Sequence, residues 1–198
     1  MPDLLPAVAE AFARRREPGL ALVEDAADVA RACRGMAERF ASGGTLLAFG
    51  SGGPAADAAH VAVEFLHPVI VGKRALPALS LSADPVGLSG TASAADPADA
   101  FADSVRLFGR RGDIALGITD DPGSAAIRRA FAAAKELGLL TVALSAGDGG
   151  ALRADGTIDH LLTTRSTDPQ VVKEVHVTTY HVLWELVHVF LEQQEHAA

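Results

Sequence analysis

What the 198-residue sequence lacks narrows its reading first. A single cysteine, Cys33, excludes a disulfide within the chain and suits a reducing cytoplasm. It falls inside a helical pattern and reads as packing. Basic residues are few: 17 Lys and Arg stand against 25 Asp and Glu, for a formal charge of −8, and no basic stripe gathers them. That balance excludes electrostatic capture of nucleic acid. No run approaches the roughly 20 apolar residues that cross a bilayer, and the opening Met-Pro-Asp begins no signal-peptide pattern. The expectation is a cytoplasmic protein that contacts neither membrane nor nucleic acid. Aromatics make up only 5% of a chain that is 49% hydrophobic. Ala, Val and Leu must do the filling, as in closely packed helices and parallel strands.

Short apolar runs recur at Leu46–Phe49, Ala78–Leu81, Ile114–Ile118, Thr141–Leu144 and Ile158–Leu162, lengths that fit buried strands. Helical patterns lie between them at Ala55–Leu66, Pro97–Phe108 and Ser124–Leu137. The alternation predicts an α/β fold, a three-layer sandwich around a parallel sheet. Two helices precede it, one over residues 3–16 that stops near Pro18-Gly19 and one from about Val23 to Ala41, and a last helix runs from Pro169 to about Gln194. The expected organisation is one domain: a helical extension over 1–43, an α/β core over 44–168 and a C-terminal helix over 169–196. Ser89–Ala98, rich in Ala, Ser and Asp, is expected to be a mobile loop.

In such sheets ligands bind beyond the carboxyl ends of the strands. Two loops occupy that rim: Gly50-Ser51-Gly52-Gly53-Pro54, and Thr119-Asp120-Asp121-Pro122-Gly123-Ser124. A glycine-rich turn lets backbone N–H groups approach an anion at a helix N-terminus. One turn further on, His60 and Glu64 share a helix face at i,i+4 spacing. A place for a polar ligand and a place for acid–base or metal chemistry thus lie in one βα unit.

Several segments together resemble the sugar isomerase (SIS) domain family, in its phosphoheptose isomerase branch. They are the glycine-rich loop, Asp57-Ala58-Ala59-His60 with Glu64, Leu76-Pro77-Ala78, Gly109-Arg110-Arg111-Gly112-Asp113, Asp148-Gly149-Gly150, and Glu174-Val175-His176 with His181. The resemblance spans nearly the whole chain. It implies a five-stranded, parallel, flavodoxin-like sheet, a homotetramer with sites at subunit interfaces, and interconversion of sedoheptulose 7-phosphate with a heptose 7-phosphate. By the same resemblance Glu64 and His181 are the catalytic pair, and His60, Glu64 and His181 are zinc ligands. Ser51, Gly52, Gly53, Thr119, Asp120, Asp121 and Ser124 then contact the sugar or sugar derivative.

The sequence also departs from the family. Lys173 stands where a zinc-binding glutamine is usual, and an ammonium offers zinc no lone pair. It reads as a surface lysine or as a charge partner for the acidic rim. Pro54 replaces a serine that helps hold phosphate, and Ser93-Ala94 falls where an Asn-Asp pair is usual. Asp120 and Asp121 replace hydroxyl residues, with Asp120 also a candidate helix cap. The two carboxylates repel a phosphate dianion by a few kcal/mol and suit a cationic or amine-bearing ligand better. The helix-borne residues remain. His60, Glu64 and His67 follow i, i+4, i+7 spacing, as do His181, Glu185 and His188, so His67, Glu185 and His188 are candidate extra metal ligands. The alternative for His67 and His188 is exposure or capping, and His176 reads as structural or interfacial. Two other functions fit the same residues: a non-catalytic tetrameric assembly protein, like the member of this branch that bridges a replication initiator, or a metal-dependent enzyme of altered chemistry.

Overall fold

Five short apolar runs become five parallel strands in a computed structural model of the chain, which describes residues 4–84 and 96–197. The strands are β1 (Leu46–Gly50), β2 (Ala78–Ser80), β3 (Ile114–Thr119), β4 (Leu140–Ala146) and β5 (His160–Thr164). Their spatial order is β2-β1-β3-β4-β5 with every pairing parallel, the flavodoxin-like arrangement that the family resemblance implies. Register is set by alternation, because successive side chains leave opposite faces of a strand. Leu46 and Ala48, Ile114, Leu116 and Ile118, and Val142 and Leu144 enter one core with Met36, Phe40, Val61, Phe65 and Leu183. Leu47 and Phe49, Ala115 and Ala143 enter a second core with Phe101, Ile127 and Phe131. Both faces are apolar because both are covered.

The first core is roofed by α2 (Ala26–Ala41), α3 (Gly53–Leu66) and α7 (Pro169–Ala197), and the second by α4 (Ala100–Phe108), α5 (Ala125–Leu137) and α6 (Gly150–Ala154). Cys33 is fully buried in the first core, and burial pushes its thiol up to about 12. Asp113, also buried, accepts from the backbone N–H groups of Thr45 and Arg110 at 2.8 Å each. The Gly109–Asp113 motif therefore stitches together the entries of β1 and β3.

Several boundaries differ from the sequence reading. The first helix, α1, runs Leu5–Glu24 with Pro18 inside it, so the expected stop at Pro18 is corrected. Proline removes a single helical bond, and Arg15 anchors the preceding turn to α7 through a two-pronged contact with Glu174 at 2.7 and 3.0 Å. Val23 belongs to this helix, and α2 begins only after Asp25. The last strand lies two residues later than expected. Helix α6 begins at Gly150, within Asp148-Gly149-Gly150, and Gly149 before it sits at φ 86°. The expected mobile loop Ser89–Ala98, with Ser93-Ala94, lies outside the described residues except for its end. There Asp96 caps a 3-10 turn, Pro97–Asp99.

Gly117, in the middle of β3, opposes Phe49 in register. A Cβ there would come within 2.5 Å of Phe131 and 2.8 Å of Phe49, rings that are themselves packed edge-on at 5.2 Å. Gly117→Ala is expected to lower unfolding free energy by about 1–3 kcal/mol, measured by urea denaturation. Gly19→Ala, with nothing within 4 Å of its Cβ in α1, should cost nothing. Equal midpoints for the two variants would contradict this packing.

Candidate active site

The strand order reverses between β1 and β3, and the loops that follow them frame a crevice at the carboxyl end of the sheet. The turn after β1 is made possible by Gly52, at φ 68°, a conformation that residues with a Cβ rarely adopt. Ser82 clamps the strand end, its hydroxyl donating to Gly50 O at 2.8 Å and accepting from Gly50 N at 3.0 Å. Ser51, Gly52 and Gly53 are exposed, and Pro54 is buried in the first turn of α3.

Beyond this loop α3 and α7 lie side by side and bring distant residues together in pairs. The first is an ion pair: Lys173 Nζ donates to Asp57 Oδ1 at 2.6 Å. Asp57 is 4% exposed, whereas the lysine side chain is half exposed. Lys173 therefore partners a buried acid on α3, not the acidic rim. One turn on, Tyr180 Oη lies 2.8 Å from His60 Nδ1, and His60 Nε2 lies 3.0 Å from Glu64 Oε1. His181 packs its ring edge-on to that of His60 at 5.3 Å. Ligand atoms of His60, Glu64 and His181 all lie within 4.8 Å of one another. Burial, reinforced by the carboxylates of Asp57 and Glu64, holds the Tyr180 hydroxyl well above the usual phenol range.

Two cavities flank this line. The one nearer the strand ends, about 230 Å³, is bordered by Gly53, Pro54, Asp57, Asp120, Lys173 and His176. His176 is 2% exposed, and its Nε2 has no hydrogen-bond partner among the described residues. Burial keeps this imidazole below its ordinary pKa, so it stays neutral, against the opposing pull of the Ser145 backbone and of Asp57 and Asp120. The other cavity, about 480 Å³, is lined by Glu64, His181, Trp184 and Glu185 with Val69, Ile70 and Lys73. A larger cleft of about 740 Å³ lies beside β5. Among its charged residues, Arg165 pairs with Glu24 and Asp25, Asp28 pairs with Arg31, Asp148 accepts from the N–H of Gly150, and Arg153 donates to the backbone oxygen of Asp148.

The loop after β3 is closed on itself. Thr119 Oγ1 donates to Asp121 O and accepts from Asp121 N, and Asp121 Oδ1 accepts from Gly123 N. Asp120 caps no helix, correcting that expectation; Ser124 is the residue at the start of α5, without a side-chain capping bond. Asp120 instead reaches the smaller cavity. The extended metal faces do not assemble. His67 is the exposed C-terminal cap of α3, Glu185 is exposed, and His188 is buried with its ring nitrogens held by the carbonyls of Trp184 and Arg74 at 2.8 and 3.0 Å. The candidate cluster among the described residues is His60, Glu64 and His181 alone. Tyr180 escaped the sequence reading, although it is the chain's one tyrosine and sits directly before His181.

Comparison with known proteins adds an independent finding. A family profile described as SIS domain matches residues 19–146. The phosphoheptose isomerase of Desulfovibrio desulfuricans is 34% identical over 190 residues, covering 96% of this chain and 88% of the relative. That of Chlorobium phaeovibrioides is 36% identical, covering 83% and 78%. The structure of the phosphoheptose isomerase from Neisseria gonorrhoeae superposes with a TM-score of 0.84 at 28% identity, over 93% of this chain and 98% of that one. The Francisella tularensis structure does so with the same score at 25% identity, over 93% and 97%.

The ion pair across the two helices makes a direct prediction. Lys173→Met leaves Asp57 buried without its partner and should lower unfolding free energy by about 1–2 kcal/mol, the half-exposed lysine limiting the loss. Adding Asp57→Asn should recover part of it. Urea midpoints check both, and an unchanged single variant would contradict the pairing.

Proposed function

Because the chain belongs to the SIS domain family, in its phosphoheptose isomerase branch, we propose that it is an aldose–ketose isomerase of a seven-carbon sugar phosphate. The observation that carries this reading is the meeting of His60, Glu64 and His181 within 4.8 Å at the edge of a cavity large enough for a sugar. Such a reaction moves a proton between adjacent carbons, which requires a base for carbon and a group that shuttles protons on oxygen. Glu64 takes the first role. Its side chain is 14% exposed, and the bond from His60 engages Oε1 alone, leaving Oε2 without a partner among the described residues. His181, exposed at the rim, takes the second role and moves the proton between the neighbouring oxygens.

The same three residues fit a divalent ion. Two imidazoles and a carboxylate are a familiar zinc donor set with open positions, and Tyr180 behind His60 supplies the outer hydrogen bond that such a ligand needs. His60, Glu64 and His181 would hold the ion, which when bound would polarise the sugar's carbonyl. Lys173, tied to Asp57, takes no part as a ligand. It is the one Lys or Arg bordering the 230 Å³ cavity and serves there as the counter-charge for substrate oxygen, in place of the hydroxyl-rich loop that Asp120 and Asp121 have replaced.

The quaternary reading is a cytoplasmic homotetramer. It is supported by α1, which buries none of its residues and exposes Leu5, Val8, Phe12, Leu20 and Val23, a face that suits another copy of the chain. In the described residues no helix is long and apolar enough to cross a membrane.

The test is turnover of sedoheptulose 7-phosphate by the wild type and by Glu64→Gln. The expected result is isomerisation that falls at least about 100-fold in the variant. No wild-type turnover, or full activity in Glu64→Gln, would overturn the reading.

A further inference from the structure

The walls of the 230 Å³ cavity at the strand ends carry more acceptors than donors. Two acids and one lysine border it, Asp57, Asp120 and Lys173, which leaves a net negative charge. Lys173 donates to Asp57 at 2.6 Å. Asp120 is exposed, and its carboxylate has no ion-pair or hydrogen-bond partner among the described residues. A phosphate dianion brought here meets that carboxylate as a like charge. The two can share no hydrogen bond, because both only accept.

The loop that carries Asp120 offers a phosphate no help. The Thr119 hydroxyl hydrogen goes to Asp121 O. The N–H groups of Asp121, Gly123 and Ser124 are taken by Thr119 Oγ1, Asp121 Oδ1 and Asp121 O. Pro54, which also borders the cavity, has no N–H. An anion cradle needs converging free N–H groups, and those of this loop are engaged.

A sugar hydroxyl fits the same walls, because it donates and accepts at once. Lys173 keeps ammonium hydrogens beyond the one given to Asp57, and both Asp120 oxygens are open. His176 borders the cavity as well. It is 2% exposed, and its Nε2 has no hydrogen-bond partner among the described residues. An orphaned buried polar atom is costly, and a hydroxyl satisfies this one whichever way the imidazole carries its hydrogen.

We propose that this cavity is a subsite for the hydroxyls of the sugar chain, in which Lys173 donates and Asp120 accepts, so that a free heptulose binds on the same terms as its phosphate ester. The consequence for turnover rests on the isomerase reading, whereas the preference in binding does not.

The experiment measures calorimetric Kd values of sedoheptulose and sedoheptulose 7-phosphate on the intact chain, with turnover of both assayed alongside. The two Kd values are expected to differ by less than about tenfold, the scale of one hydrogen bond to a charged group. A preference for the ester of about tenfold or more would overturn the proposal. Asp120→Ser, at an exposed position where folding is undisturbed, puts a hydroxyl in place of the charge. It is expected to shift the ratio of Kd values toward the ester by about tenfold. An unchanged ratio would remove Asp120 from the subsite and overturn the proposal. If the wild type binds both sugars alike and turns over neither, the isomerase reading fails and the subsite stands. Binding of neither sugar would overturn both.

Discussion

The site depends on the pairing of α3 with α7. Each helix alone carries residues that could do many things; their alignment decides which of them meet. Three contacts set it: Lys173 on Asp57, Tyr180 on His60, and His181 against His60. Below them Val61 and Phe65 of α3 and Leu183 and Val187 of α7 lie in one apolar core, whose burial supplies most of the driving force. The polar contacts add register. A slide of one turn along α7 would leave Asp57 buried and uncompensated, a costly alternative that disfavours other alignments.

In the proposed reading, the same pairing accounts for a reaction centre that stands apart from the two rim loops. The candidate residues His60, Glu64 and His181 lie on helices anchored in the core, and the candidate ligand loops lie at the rim, where substitution disturbs little packing. Pro54 is buried in the first turn of α3, and the loop holding Asp120 and Asp121 is closed by bonds among its own atoms. Lys173 borders the same cavity as Asp120 and neutralises the buried Asp57 behind it.

Much of this was legible in the residues, for identifiable reasons. The strands showed as short apolar runs because both faces of a parallel sheet are buried, and the spacing of His60 and Glu64 reported a shared helix face directly. Properties that depend on contacts between distant elements were not legible. His188 repeats the spacing of a metal-binding face, yet the backbone carbonyls of Trp184 and Arg74 claim its ring. Lys173 looks like a surface lysine until α3 supplies Asp57. Tyr180 is a core aromatic by burial, and only the fold shows that its hydroxyl ends on His60. Pro18 signals a helix stop, but an anchored helix tolerates the loss of one bond.

The most direct measurement of the central claim, that the α3–α7 pairing builds the reaction centre, is a crystal structure with sedoheptulose 7-phosphate bound. The account predicts the first two carbons of the sugar between Glu64 and His181, with the chain running toward Lys173. A sugar lying in the cleft beside β5, or one that leaves Glu64 and His181 untouched, would contradict it.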